Sequence, residues 1–276
     1  MCCCADPMPK PAEILRQGAT AYYGNRRFLL LATSFVLDRS SKPYRRLSAS
    51  LMLAGGEPFR VEVGDGLTLT TRAALIAPKV RRRRTLALNS RLAVFDIPIG
   101  SPEYAALEPT LQEQQVLSLE LERFAPLLPT LEKGFATTLS CAEVDGMFES
   151  AVHAVTGRRP AARALDPRVA RAIDLIDEVP LDQVTLAGLA KRLPLSASRL
   201  RHLFQTETGC SVTHYARWAA VWKAASLWTR GVPLTEIAHE VGFYDLAHLD
   251  HAFVETFGVS PSVVIDPSTI TLVRCP

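Results

Sequence analysis

An internal repeat in the last third of the chain restricts the folds that this sequence can adopt. Within residues 186–193, leucine and alanine recur at i, i+3, i+4 and i+7, which is the spacing of one apolar helix face. The same spacing returns in residues 234–241, 48 positions later. Each copy is followed by a turn, a second apolar pair and a Gly-x-Ser sequence, which begins at Gly209 or Gly258. The pattern predicts two helix–turn–helix units within about 80 residues.

A long apolar segment joins the two copies. It reads VTHYARWAAVWKAASLWT and contains Tyr215, Trp218 and Trp222. We expect these three side chains to pack between the two units, and we favour this interpretation over an aromatic box for a cofactor. The sequence therefore predicts no cofactor.

Polar side chains on the second helix of the first unit are candidates for a binding surface. Ser196 is expected to cap this helix, as Thr185 caps the helix before it. If Leu200 and Phe204 face the core, a row of donors faces outward, and such a helix can enter the major groove of DNA. The alternative is a basic helix face that is only solvated. The second copy of the repeat, which has the same spacing, disfavours this alternative. The candidates for base contacts are Ser198, Arg199, Arg201 and His202, and those for phosphate contacts are Lys191, Arg192, Gln205 and Arg217.

Residues 166–264 resemble the DNA-binding domain of the AraC family of bacterial transcriptional regulators. Two segments carry the resemblance, LAGLAKRLPLSASRLRHLFQTETGCSVTHY and PLTEIAHEVGFYDLAHLDHAFVETFGVSP. The resemblance implies two helix–turn–helix units joined by a rigid helix. It also implies that their recognition helices enter successive major grooves, about 34 Å or about 10 base pairs apart.

The two units differ in charge. Residues 188–230 contain seven basic residues and one acidic residue, whereas residues 231–276 contain one basic residue and six acidic residues. The family usually has basic residues around Phe253, where this chain has Glu255, and arginine is common at the position of His251. Nonspecific affinity grows with the number of phosphates neutralised. We therefore predict that the first unit anchors the protein on DNA and that the second contributes weakly or selectively.

The segment YDLAHLDHAF, residues 244–253, raises the alternative of a metal site, because it contains two histidines three residues apart with two aspartates beside them. This spacing differs from the HExxH sequence of zinc proteases, and Asp245 is expected to cap a helix. Correspondence with the first copy instead places this segment on the DNA-facing helix. We predict no metal, and the candidate base contacts of the second unit are Ala247, His248 and His251.

The N-terminal half is predicted to be a β-domain. Residues 59–63 and 67–71 alternate apolar and polar residues around Gly-Asp-Gly, which predicts a hairpin. Further short strands and turns within residues 19–98 favour a sandwich or barrel. Many AraC-family regulators carry a small cupin-like barrel that senses a ligand or mediates dimerisation, and residues 19–98 resemble it loosely. Residues 1–152 contain no histidine, which disfavours a metal-dependent cupin enzyme.

Four consecutive arginines, Arg81 to Arg84, form a basic run near a predicted strand. We interpret them as a solvated edge that discourages sheet pairing, with a pocket for an acidic effector and a nucleic-acid patch as alternatives. Arg60 and Arg72 are candidates for polar side chains inside the barrel.

Helices are expected after the strands. Ser101-Pro102 is a helix-start sequence, and residues 140–143 fit a capping box. Four leucines of this region can form a dimer seam or cover the barrel, and we favour the dimer seam: Leu111, Leu117, Leu121 and Leu128.

Together the patterns predict an α+β protein of two domains, without catalytic residues. The expected segments are an N-terminal tail (1–18), a cupin-like effector or dimerisation domain (19–155), a linker (156–166), an AraC-type DNA-binding domain (167–264) and a C-terminal tail (265–276). The expected partners are double-stranded promoter DNA, RNA polymerase, a small-molecule effector and a second copy of the chain, with no membrane. The alternative is a protein-interaction or small-molecule-binding module with weak DNA affinity.

Composition and cysteine usage indicate a compartment. The chain has 276 residues, 48% hydrophobic and 21% charged, as in folded soluble proteins. It lacks an apolar run near the length of about 20 residues that spans a bilayer, and its start lacks an apolar signal region, so we expect the bacterial cytoplasm and nucleoid. No CxxC spacing occurs, and reduced thiols are expected at Cys2, Cys3, Cys4, Cys141, Cys210 and Cys275.

Overall fold

The computed structural model describes residues 18–24, 27–160, 165–228, 231–264 and 270–275. Within these residues, an N-terminal region of two sheets with helices precedes an all-helical region, which confirms the expected α+β class. No helix in the described ranges is long and apolar enough to cross a membrane. Most of the predicted N-terminal tail, including Cys2, Cys3 and Cys4, lies outside the described residues.

The strands within residues 19–98 follow the predicted hairpin and turn signals, and two further described strands lie outside that range. They are β1 (Ala19–Gly24), β2 (Arg27–Ala32), β3 (Phe35–Asp38), β4 (Ser48–Ala54), β5 (Phe59–Val63), β6 (Leu67–Thr71), β7 (Ala73–Ile76), β8 (Arg82–Ala87), β9 (Leu92–Pro98), β10 (Val116–Leu119) and β11 (Ile270–Arg274). One sheet has the order β10-β7-β4-β9-β2-β1-β11, and the other has the order β3-β8-β5-β6. The predicted hairpin is confirmed, since β5 pairs antiparallel with β6 from Phe59–Thr71 to Val63–Leu67.

The central strands of the larger sheet are buried on both faces. On β2, Leu30 packs with Phe59 and Val61 of the smaller sheet. Its neighbours Leu29 and Leu31 point to the opposite face and pack among the helices. Because successive side chains of a strand alternate between faces, a strand covered on both sides needs a continuous apolar run. This requirement explains the sequence RFLLLA of β2.

The helices of the described residues begin at a capping side chain in most cases, but not at Leu128 or Leu234. They are α1 (Pro102–Glu113), α2 (Leu128–Ala136), α3 (Cys141–Thr156), α4 (Pro167–Glu178), α5 (Leu186–Arg192), α6 (Ala197–Thr208), α7 (Val212–Trp228), α8 (Leu234–Glu240), α9 (Leu246–Phe257) and α10 (Pro261–Val264). Ser101 caps α1 by accepting a hydrogen bond from the Tyr104 amide at 3.1 Å. Ser140 and Glu143 form the predicted capping box of α3. The expected helix starts are therefore confirmed.

The two helix–turn–helix units, α5–α6 and α8–α9, pack on α7. Tyr215, Trp218 and Trp222 of α7 are buried in the same core as Leu200 of α6 and Leu249 of α9. Tyr215 also makes an edge contact with Phe204 at 5.4 Å. The predicted packing of the aromatic residues between the two units is confirmed.

The end of the chain corrects two expectations. Residues 270–274 lie in the predicted tail, but they form β11, which pairs in parallel with β1 from Ala19–Ile270 to Tyr23–Arg274. In this arrangement Cys275 lies beside Cys141, and the two form a disulfide with a Cα–Cα distance of 5.3 Å. The prediction of reduced thiols is therefore wrong for this pair, because spacing along the chain carried no information about their proximity. Cys210 is a buried free thiol.

Two further expectations about side-chain position are corrected. Arg60 and Arg72 are exposed, not inside the β-domain, because Phe59 and Val61 occupy the inward positions of β5. The four leucines assigned to a dimer seam instead pack in or against the core on the helix side of the larger sheet. Leu111 and Leu121 are buried there, and Leu117 and Leu128 pack partly buried against the same core.

Candidate DNA interface and the adjoining pocket

The exposed face of α6 carries the predicted base-contacting residues of the first unit. The Ser196 hydroxyl accepts a hydrogen bond from the Arg199 amide at 3.2 Å and fixes the start of the helix. Leu200 and Phe204 are fully buried. The opposite face is exposed and presents donors at helical spacing: Ser198, Arg199, Arg201, His202 and Gln205. The structure therefore brings the predicted side chains together on one surface.

The start of α9 presents the corresponding face of the second unit. The Asp245 carboxylate caps the helix by accepting a hydrogen bond from the His248 amide at 2.7 Å. The imidazole of His248 packs edge-on against Phe243 at 4.9 Å, and the Nε2 atom of His251 lies 3.4 Å from Glu255. Ala247, His248 and His251 are all exposed. Asp245, His248 and His251 thus each have another contact, and the described residues contain no group of three or more such ligands close enough to bind a metal.

The predicted phosphate contacts occupy different settings. Lys191 and Gln205 are exposed, while Arg192 forms an ion pair with Glu178 of α4 at 3.2 Å. Arg217 of α7 is half-buried and ion-paired with Glu255 of α9. This pair neutralises one of the cations that the sequence assigns to phosphate binding.

Arg217 also lines a basic cleft of about 720 Å³ between the N-terminal sheets and the helices. The Lys79 ammonium reaches across this cleft and donates a hydrogen bond to the Gly209 carbonyl at the end of α6. Burial, followed by the charges of Arg217 and Lys79, lowers the pKa of His214 in the same cleft. The remaining cations of the cleft lining are Arg45, Arg46, Arg81 and Arg83.

Tyr244 is a candidate contact that sequence reasoning missed. It precedes the cap of α9, and 85% of it is exposed, more than any other large apolar side chain among the described residues. An amphipathic ring at the start of a recognition helix can reach a sugar or a base edge. Its position in the turn directly before the capping residue Asp245 could have indicated from the sequence that Tyr244 lies at the start of this helix.

A second site adjoins the interface where the N-terminal region meets the helical region. Here a cavity of about 70 Å³ is enclosed mainly by apolar side chains from both regions. The sheet side contributes Phe28, Leu30, Ile270 and Leu272, and the helical side contributes Trp222, Trp228, Phe253 and Phe257. Phe257 is the last residue of α9, so the cavity touches the second helix–turn–helix unit directly.

The cavity contains buried arginine side chains. Arg46 forms a 2.9 Å ion pair with Asp96, and its Nη2 atom lies 3.5 Å from the Phe257 carbonyl. Arg82 is 4% exposed, and its Nε and Nη2 atoms have no hydrogen-bond partner among the described residues. Burial lowers the pKa of Arg82 to about 10. A buried cation with free donors is unfavourable unless an anion or another acceptor compensates it.

A β-bulge explains why Arg82 points inward. Val63 pairs with Arg82 while the adjacent Glu62 pairs with Arg84, so Arg83 is an extra residue in β8. An extra residue reverses the side-chain alternation, and Arg82 therefore faces the cavity on the same side as Thr85. By contrast, Arg84 forms a 2.7 Å ion pair with Asp38.

Other polar atoms without a hydrogen-bond partner in the described part of the chain also line the cavity. They are the hydroxyl of Tyr23, the Nε of Arg46 and the indole nitrogens of Trp222 and Trp228. With Arg82, these groups offer hydrogen-bond donors from both regions of the chain. The arrangement suits a ligand that combines an apolar body with acceptor oxygens.

Comparison with known proteins identifies the helical region. Residues 189–266 match the family model described as a helix-turn-helix domain. The chain is 33% identical over 201 residues to an AraC-like transcription regulator of Streptomyces lividans, covering 72% of this chain and 61% of that protein. It is 32% identical over 100 residues to the arabinose operon regulatory protein of Escherichia coli K12, covering 36% of this chain and 34% of that protein. The chain thus spans about three fifths of the length of the Streptomyces relative.

Solved structures extend the similarity of fold to the N-terminal region. An apo variant of ToxT from Vibrio cholerae aligns over 87% of this chain and 97% of its own length, with a TM-score of 0.58 and 12% identity. ToxT bound to an unsaturated fatty acid aligns over 87% of this chain and 95% of its own length, with a TM-score of 0.52 and 14% identity. At these identities the similarity concerns the fold alone. The C-terminal region of this chain therefore contains a helix-turn-helix domain, and its sequence is similar to that of AraC-like transcription regulators.

Proposed function

We propose that this protein is a sequence-specific DNA-binding transcription regulator whose first helix–turn–helix unit anchors it in the major groove. The observation that carries the proposal is the exposed row of donors on α6, held on a helix whose other face is buried. Ser198, Arg199, Arg201 and His202 project from the N-terminal part of this helix, the part that reads base edges in such units. The bacterial nucleoid is then its working environment, and RNA polymerase is a partner to test.

The second unit contributes less to affinity in this proposal. The ion pair between Arg217 and Glu255 and the 3.4 Å contact between His251 and Glu255 reduce the positive charge of its surface. Fewer phosphates are then neutralised by this unit, so fewer counterions are released when it binds.

Salt dependence of DNA binding tests the proposal. Affinity for duplex DNA is measured at several salt concentrations for the wild type, Lys191→Gln and, as an exposed control in the N-terminal sheet, Arg60→Gln. We expect a steep salt dependence whose slope decreases by about 1 in Lys191→Gln and is unchanged in Arg60→Gln. A flat dependence in the wild type would favour the protein-interaction alternative.

We further propose that the cavity between the two regions binds an apolar carboxylic acid that acts as the effector. Arg82 supports this proposal because its unpartnered donors face an apolar cavity, and a carboxylate can accept two hydrogen bonds from a guanidinium. The ToxT structure that shares this fold was solved with an unsaturated fatty acid, a ligand of the same chemical class. Of the three interpretations of the arginine run, the acidic-effector pocket is the one that Arg82 favours.

The size of the cavity limits the ligand. A volume of about 70 Å³ corresponds to on the order of five water molecules, so a compact acid fits with little rearrangement. A long acyl chain would have to displace side chains such as Phe28 from the cavity wall.

Binding of butyrate, compared with the uncharged 1-butanol, tests the effector site. Calorimetry is performed on the wild type and on Arg82→Met, which keeps the apolar stem but removes the guanidinium. We expect Arg82→Met to weaken acid binding at least tenfold, equivalent to about 1.4 kcal/mol, and to leave alcohol binding nearly unchanged. Equal losses for both ligands would contradict carboxylate recognition by Arg82.

A further inference from the structure

A disulfide joins the C-terminal strand to a helix in the middle of the chain. Cys141 is the first residue of α3, which packs on the N-terminal sheet, and Cys275 directly follows β11. Their Cα atoms are 5.3 Å apart, inside the range that a disulfide bridges without backbone movement, although 134 positions separate them in sequence. The bond therefore attaches the C-terminal strand to a helix of the other region.

Apart from this bond, β11 has few attachments. It lies at the edge of the larger sheet and, among the described strands, pairs only with β1, through five residue pairs. The Cys275 amide extends the pairing by donating a hydrogen bond to the Tyr23 carbonyl at 2.8 Å. A short edge strand with one neighbour is among the elements that open most easily. The disulfide thus holds the C-terminal end of β11, where separation of the strand from β1 would begin.

The strand β11 follows the second helix–turn–helix unit in the chain and forms part of the cavity wall. It follows α10, the short helix that packs on α9 of the second unit. Two of its residues, Ile270 and Leu272, form part of the wall of the cavity that also touches Phe257 of α9. Release of β11 would therefore open the cavity wall and remove one attachment of the second unit to the N-terminal sheet.

We propose that Cys141 and Cys275 form a reversible thiol–disulfide site that latches β11 to the N-terminal region, with low-molecular-weight disulfides as the class of reactant. The oxidised state holds the second helix–turn–helix unit against the sheet, and the reduced state lets β11 separate. This role rests on the proposed function in one respect, because a DNA-binding protein in the bacterial cytoplasm meets reducing conditions in which the bond is not permanent.

The exchange chemistry balances without a metal or cofactor. A thiolate of one cysteine attacks a small disulfide and expels one small thiolate, which leaves a mixed disulfide on the protein. The thiolate of the second cysteine then attacks that mixed disulfide, closes the Cys141–Cys275 bond and expels the second small thiolate. The two protein thiols lose two protons and two electrons, and the small disulfide is reduced to two thiols.

The remaining described cysteine does not compete for this exchange. Cys210 is 2% exposed and lies beside Thr208, and burial raises the pKa of its thiol. A buried thiol with a raised pKa reacts slowly, because the thiolate is the nucleophile. Cys141 and Cys275 are both half-exposed, so a small disulfide can reach them.

Hydrogen exchange on the full chain tests the latch. The three consecutive N-terminal thiols are first removed by the substitutions Cys2→Ser, Cys3→Ser and Cys4→Ser. The protein is then equilibrated with oxidised and reduced glutathione in graded ratios. We expect one disulfide between Cys141 and Cys275 by peptide mass spectrometry. We also expect the amides of residues 270–275 to exchange at least tenfold faster in the reduced form, while those of α6 are unchanged.

Two variants act as independent checks. Cys275→Ser should show the fast exchange under both conditions. Gly24→Ala leaves both thiols in place, but a Cβ at Gly24 would clash with the Cys275 carbonyl, so the variant should loosen the strand and lower the yield of the disulfide. Equal exchange of residues 270–275 in the oxidised and reduced proteins, or no Cys141–Cys275 bond at any glutathione ratio, would overturn the proposal.

DNA binding by the same samples separates this proposal from the proposed function. If β11 loosens on reduction but neither form binds DNA, the latch stands and the regulatory function fails. If the protein binds DNA and β11 exchanges equally in both forms, the function stands and the latch fails.

Discussion

At the scale of single residues, Tyr244 has a testable role that is independent of protein stability. Its ring is largely exposed beside the cap of α9 and contributes little to the core. We expect Tyr244→Ala to weaken DNA binding about three- to tenfold, equivalent to about 0.7–1.4 kcal/mol, because an aromatic contact to the duplex is lost. Titration with labelled DNA and a thermal melt measure the two properties separately.

Leu67→Ala provides the matched control for Tyr244→Ala. Leu67 is also an exposed large apolar residue, but it lies in β6, on the smaller sheet. DNA affinity should be unchanged in this variant. If Tyr244→Ala binds DNA as tightly as Leu67→Ala, Tyr244 has no part in the interface.

Arg82 shows which residue-level features the sequence could not indicate. The run of four arginines predicted a basic segment, and an acidic-effector pocket was among the alternatives. The inward direction of Arg82 depends on the bulge opposite Glu62 and Val63, and strand alternation alone would have placed Arg82 opposite to Thr85. The same absence of register information caused Arg60 and Arg72 to be assigned to the interior.

At the scale of elements, the two helix-ending glycines make a matched pair. Gly209 ends α6 and Gly258 ends α9, with φ values of 70° and 82°. A Cβ at Gly209 would have only the Lys79 ammonium within 4.0 Å, whereas a Cβ at Gly258 would lie 2.8 Å from the Tyr44 ring of the N-terminal region. Alanine at either position must adopt the left-handed conformation, which is unfavourable for a residue with a Cβ atom. At Gly258 alanine would also disturb the contact with Tyr44 of the N-terminal region.

We expect Gly209→Ala to reduce the free energy of unfolding by about 1–2 kcal/mol, the cost of the left-handed conformation. Gly258→Ala should reduce it by about 1–3 kcal/mol more, because the ring of Tyr44 must move. Denaturant titrations of the two variants measure the difference. Equal destabilisation would show that α9 does not pack on Tyr44 in solution.

The two recognition helices should contribute unequally to binding. Arg201 on α6 is exposed, whereas His251 on α9 lies beside Glu255. We expect Arg201→Ala to cost about 1–3 kcal/mol of DNA affinity and His251→Ala clearly less. Footprinting over two helical turns should show weaker protection by the second unit. Equal losses in both variants, with equal protection of both half-turns, would contradict the anchoring role of the first unit.

The helical elements were largely predictable because their signals are local. Thr185 and Ser196 mark helix starts, and each accepts the expected hydrogen bond from an amide three residues later. The strand β11 was not predictable in the same way. Its partner β1 lies at the opposite end of the chain, and parallel pairing over such a separation leaves no turn signal between the strands.

At the scale of the whole molecule, the two regions share a buried polar contact. Arg46 pairs with Asp96 inside the N-terminal sheet and reaches the Phe257 carbonyl at the end of α9. Carbonyl groups at a helix C-terminus carry partial negative charge, which favours a cation there. A ligand in the adjoining cavity would therefore lie within reach of both the sheet and α9. The sequence predicted each of the two domains separately. It did not predict this contact between them.

Selection of bound sites from random duplex DNA tests the central claim most directly. The selection is run with the full chain, with Arg199→Ala, Arg201→Ala and His202→Ala, and with the exposed control Arg60→Ala. The account predicts a defined preferred site for the wild type and the control, and a loss of base preference at particular positions in each α6 variant. A wild-type protein that enriches no site, or α6 variants that enrich the same site as the wild type, would contradict base readout by α6.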